Sequence, residues 1–82
     1  MADFTPEEVV ALHRSNVRCK SSFVTSRGSK HVPVGVVGDI NGWMNLPPIY
    51  VCAQFRFAGR SIVAFISKQE WDDHMELLDS VH

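Results

Sequence analysis

Cysteine is scarce in this chain, and the two that occur, Cys19 and Cys52, stand far apart with no Cys-x-x-Cys spacing. That excludes a disulfide framework and a thioredoxin-type redox motif, and it reads as two reduced, buried thiols. Long apolar runs are missing too. No stretch approaches the ~20 apolar residues that span a bilayer, and Met1-Ala2-Asp3-Phe4-Thr5-Pro6 has neither the basic start nor the apolar stretch of a secretory leader. A cytoplasmic location without membrane contact is the expectation.

Catalytic and metal signatures are likewise absent. His13, His31, His74 and His82 fall on different predicted elements, with no His-x-x-x-His pair to start a zinc site. Asp39-Ile40-Asn41-Gly42 places its glycine too early for a calcium loop and lacks the following bidentate glutamate. There is no Gly-x-Ser-x-Gly elbow, and Gly35, Gly38 and Gly42 lack the lysine and strand-to-helix setting of a phosphate loop. No metal, no cofactor and no enzymatic activity are predicted.

What is present suits one small globular domain. At 82 residues, 45% hydrophobic and 21% charged, the chain has room for a single core spanning residues 1–82. A core of this size supplies little stability, so self-association into a homodimer is compatible with it.

Phe4-Thr5-Pro6-Glu7-Glu8-Val9 is a dense helix start. Thr5 is the N-cap, Pro6 the first helical residue, Glu8 completes a capping box, and Phe4 with Val9 forms a hydrophobic staple. The helix is predicted over 6–15, with Val9, Leu12 and His13 inward. Val17 to Thr25 alternates, with Val17, Cys19, Ser21 and Phe23 on one face and Arg18, Lys20 and Ser22 on the other, as in a half-buried strand.

After a turn at 26–30, His31 to Gly38 reads as an edge or bulged return strand because of Pro33 and its glycines. Asn41-Gly42 and Pro47-Pro48 make 39–48 a loop. Residues 49–57 and 60–67 read as a hairpin across Ala58-Gly59, and the run Ile62 to Ile66, apolar on both faces, is assigned to the middle of the sheet. Ser67-Lys68-Gln69-Glu70 is a second capping box. Trp71, His74, Met75, Leu78 and Val81 then recur at helical spacing. The predicted class is α+β, order α-β-β-β-β-α, with an antiparallel sheet and both terminal helices packed on one face.

Charge is the most uneven feature. Between Val9 and Arg60 there are seven basic residues and one acid, Asp39, whereas Gln69 to His82 holds five acids and no lysine or arginine. On the predicted helix, Asp72, Glu76 and Asp79 share one stripe beside Asp73, which predicts a docking surface for a basic protein partner. Trp43 and Met44, apolar in a predicted loop, are the candidate anchor.

The function expected is therefore a non-enzymatic protein-binding module, an inhibitor or adaptor that covers a surface on a larger complex. Small phage-encoded inhibitors of bacterial defence systems, such as anti-CRISPR proteins, offer an analogy of size and motif absence only. One alternative is nucleic-acid binding through a basic first hairpin carrying Arg18, Lys20, Arg27 and Lys30. A second is a small enzyme or ligand binder built on a cysteine and a histidine.

Overall fold

The computed structural model describes residues 3–44 and 48–79. The chain runs α1 (Pro6–Leu12), β1 (Asn16–Cys19), β2 (Phe23–Val24), β3 (His31–Val32), β4 (Val37–Trp43), β5 (Val51–Phe57), β6 (Arg60–Ile66), α2 (Lys68–His74) and β7 (Met75–Asp79). Five strands form one antiparallel sheet in the order β6-β5-β4-β1-β7, and β2 with β3 forms a separate two-stranded ribbon.

Both helix starts follow local chemistry. Thr5 Oγ1 accepts from the Glu8 amide, and Glu8 Oε1 accepts from the Thr5 amide. Ser67 and Glu70 repeat the arrangement at α2. Phe4 and Val9 are both buried in the core. Only α1 and α2 among the described elements are helical, and neither is long and apolar enough to cross a membrane. α1 places Val9 in the core, while α2 has no fully buried residue and rests Trp71 partly against it.

The helix α1 is shorter than predicted. It stops at Leu12 because Arg14 adopts a positive φ, and the Arg14 amide leaves the helical ladder to donate to the Ile40 carbonyl. The predicted strand over 17–25 keeps its alternation, with Val17, Cys19 and Phe23 buried and Arg18, Lys20 and Ser22 exposed, but splits into β1 and β2, which join different sheets. The return strand also breaks. Only His31 and Val32 pair with β2, and a turn through Pro33 and Gly35, which has a positive φ, delivers the chain to β4.

β4 corrects the predicted loop at 39–48. Asp39 to Trp43 is sheet, and Asn41-Gly42 is a bulge, seen as a register shift between Ile40↔Ala53 and Gly42↔Cys52. Turn-forming residues thus bend a strand here instead of reversing the chain. Residues 45–47 of that predicted loop lie outside the described residues.

The β5–β6 hairpin turns through Ala58 and Gly59, both at positive φ, as a two-residue hairpin loop requires. Its second strand, however, is an edge strand and not a central one. Ile62, Ala64 and Ile66 face the core side, while Val63 is left exposed on the other face. Part of this edge is covered where Arg27 bridges Phe65.

The largest correction lies at the C-terminal end. The predicted long helix stops at His74, and Met75 to Asp79 becomes β7 along the outer edge of β1, adding a strand to the predicted order. Helical spacing of Trp71, His74, Met75 and Leu78 was real, but pairing with β1 satisfies a row of backbone groups and buries Met75. The Lys20 amide donating to the His74 carbonyl starts that ladder.

Candidate functional site

Cross-strand register sets which side chains share a face. On the face opposite the core, Ser61, Arg56, Val37, Arg18 and Glu76 form one row across all five strands, and Val63, Gln54, Asp39 and Asn16 form the next. Arg18 Nε lies 2.8 Å from Glu76 Oε2. Arg56 Nη1 approaches Asp39 Oδ1 only to 3.4 Å, without hydrogen-bond geometry, and that buried oxygen finds no hydrogen-bond partner among the described residues.

The acids predicted to form a helical stripe do not form one. Asp72 and Asp73 are exposed on α2, where Asp72 sits 3.4 Å from Lys68 Nζ and Asp73 accepts from Gln69 Nε2. Glu76 belongs to β7 and is engaged by Arg18. Asp79 closes β7 opposite Asn16, and its side chain lies outside the described residues. A strand repeats every two residues and a helix every 3.6, so the change of element dissolves the i, i+4, i+7 relation.

Trp43 and Met44 are both partly buried and do not form an exposed anchor. Trp43 ends β4 opposite Val51, packs on the core, and meets the His13 ring nearly at right angles, with ring centroids 5.4 Å apart. The Met44 amide donates to the Tyr50 carbonyl.

The four predicted basic residues do not make one patch. Arg18 lies on the sheet face and Lys20 just beyond β1. Lys30 closes the β2–β3 turn through Thr25. Arg27 sits at the β6 edge, its guanidinium 5.5 Å from the Tyr50 ring and 5.8 Å from the Phe65 ring. Three inter-strand spacings, about 14 Å, separate β1 from β6.

Cys19 is buried, and its Sγ donates to the Ser21 carbonyl at 3.0 Å. Burial pushes both the Cys19 and Cys52 thiols up, the reverse of an activated thiolate. A pair that sequence reading missed lies close by. Ser21 Oγ is 2.8 Å from His74 Nδ1, and the His74 ring stacks on Phe23 at 4.5 Å. Fifty-three residues separate the partners, so no spacing announced them. Among the described residues no carboxylate bonds His74, and Ser21 also reaches the Asp73 carbonyl at 3.4 Å, which suits the closing of α2.

Among the described residues no three His, Cys, Asp or Glu side chains converge as a metal site would require. An open depression of about 460 Å³ lies at the β5–β6 hairpin, lined by Arg56, Phe57, Gly59, Arg60 and Ser61.

The direction of each β7 backbone group follows from one bond. Since the Lys20 amide bonds the His74 carbonyl, the antiparallel alternation makes Arg18/Glu76 the next bonded pair and Val17/Leu77 an unbonded one. The Leu77 N–H and C=O therefore point away from β1, on the outer side of the sheet.

No family model, no curated protein and no solved structure matches the chain.

Proposed function

We propose that this chain is a non-catalytic cytoplasmic protein-binding module that docks a strand of its partner on the outer edge of β7. The observation that carries this reading is the exposure of Leu77 and Leu78, 49% and 43%, on an outer strand whose Leu77 backbone points outward. An open edge of this kind binds by strand addition, in which backbone hydrogen bonds supply affinity and flanking side chains supply selectivity. Asp72 and Asp73 next to it favour a basic partner segment.

The module acts as an inhibitor or adaptor, covering a surface on a larger complex; an inhibitor of a bacterial defence system, in the manner of an anti-CRISPR, is one such role. In this reading both helices pack on one face of the sheet, and the row from Arg56 to Glu76 stays open on the other.

The test is affinity capture from a lysate of the native host, with and without nuclease, comparing the natural chain with Leu77→Lys and Leu78→Lys. A stoichiometric protein partner that survives nuclease and is lost with either substitution supports the reading. Equal capture by both variants overturns the edge. Recovery abolished by nuclease moves the function to nucleic acid.

A further inference from the structure

The run Ile62 to Ile66 is apolar on both faces, as in a strand flanked on both sides, yet β6 closes one edge of the sheet. That edge lacks the usual protections against pairing with another chain. β6 holds no lysine and no proline, and its ladder with β5 has no register shift, whereas the ladder that attaches β7 is bulged.

The turn fixes which backbone groups of β6 are free. A two-residue turn at Ala58 and Gly59 makes Phe57/Arg60 a bonded pair, so bonding to β5 continues at Phe55/Ile62 and Ala53/Ala64. Ser61, Val63 and Phe65 therefore turn their N–H and C=O groups outward. The Arg27 bridge occupies the edge at Phe65. Among the described residues nothing pairs with Ser61 or Val63 on that side, and Val63 is 45% exposed.

We infer that β6 pairs with β6 of a second copy of this chain, antiparallel, about a two-fold axis at Ile62. Ser61 then bonds Val63 of the second copy and Val63 bonds its Ser61, which uses the two free residues and ends at Ala64, short of Arg27. Ile62 meets its own counterpart in an unbonded position, where facing side chains lie closest.

Charge selects this edge over the other. Arg60 is the one charged side chain on β6, and the two-fold axis sets it opposite Ala64, so the two arginines stand at opposite ends of the joined strands. The same operation on β7 would bring two acidic ends together, Glu76 with Asp72 and Asp73 beside it. The β6 interface is isologous and closes at two copies. It joins two five-stranded sheets into one with a β7 edge at each end, and so stands independently of what binds β7.

The test is sedimentation velocity of the intact chain from micromolar concentration to about 1 mM, with amide hydrogen exchange read across the same range. A dimer that grows no further is expected, with the Ser61 and Val63 amides protected as it forms and the Leu77 amide unchanged. Val63→Lys should raise the dimer dissociation constant about tenfold or more by placing a charge at the shared edge, and Leu77→Lys should leave it unchanged. A chain that stays monomeric to about 1 mM overturns the inference. So does a dimer that Val63→Lys, folded by circular dichroism, fails to weaken. Loss of the dimer in Leu77→Lys would move the interface to β7, and open-ended growth would join β6 to β7 of the next copy; either result overturns it too.

Discussion

Arg18 on β1 holds Glu76 on β7 directly opposite it, Nε to Oε2 at 2.8 Å, and so ties the basic part of the chain to its acidic end across 58 residues. The polarity visible in the sequence is thereby partly closed within the molecule. Lys68 links the two helices, with Nζ 3.1 Å from Glu8 Oε2 on α1, and within α2 lies 3.4 Å from Asp72 Oδ1.

Both side chains of the Arg18–Glu76 pair are more than a third exposed, at 47% and 36%, so water competes for it. A double-mutant cycle with Arg18→Gln and Glu76→Gln, measured by urea unfolding, should return a coupling of about 0.2–1 kcal/mol that shrinks with added salt. A coupling that ignores salt would contradict this account.

Gly38 should tolerate no side chain. It lies opposite Phe55, and an added Cβ would collide with the Gln54 carbonyl oxygen and come within 2.9 Å of Phe55 Cδ1. Gly38→Ala is expected to destabilise by about 1–3 kcal/mol through overpacking. Gly42→Ala, where nothing lies within 4 Å, is the control and should cost much less.

Stability should fall at both pH extremes through one residue, Glu8. The Thr5 amide, and then Lys68, hold the Glu8 carboxyl below its ordinary range. Its folded value is depressed, so its contribution is complete above the unfolded carboxylate range and is lost as pH falls through the folded value. Lys68 is raised, first by its hydrogen bond to Glu8. Its contribution is complete below the unfolded lysine range and is lost as pH rises through the raised value. Glu8→Gln should flatten the melting temperature against pH at both ends, and an unchanged profile would refute the assignment.

The thiols should be slow. With burial raising both, alkylation of Cys19 and Cys52 by iodoacetamide at neutral pH should proceed well below the rate of the urea-unfolded chain, with fully buried Cys19 the slower. Rapid modification of either in the folded state would restore a cysteine-based chemistry.

Much of the fold is legible in residues that act on near neighbours. Thr5/Glu8 and Ser67/Glu70 announce their helix starts because the capping partners are three positions apart, and Ala58-Gly59 announces its hairpin because positive φ is a local demand. The burial alternation from Val17 to Phe23 is readable for the same reason. The candidate surfaces were much less so. Leu77 and Leu78 fall in a segment whose spacing predicts a helix, and the outward direction of the Leu77 backbone follows only from the β1–β7 register.

By itself, then, the sequence determined where helices begin, where the tightest turn falls and the burial alternation from Val17 to Phe23. The tertiary structure decided that Met75 to Asp79 is a strand, that Asn41-Gly42 bends β4 instead of ending it, and that Ile62 to Ile66 lies at an edge. The reason is physical. A segment with helical spacing and apolar content can satisfy its backbone either within itself or against a neighbour, and β1 offers Met75 both a ladder of partners and a place in the core.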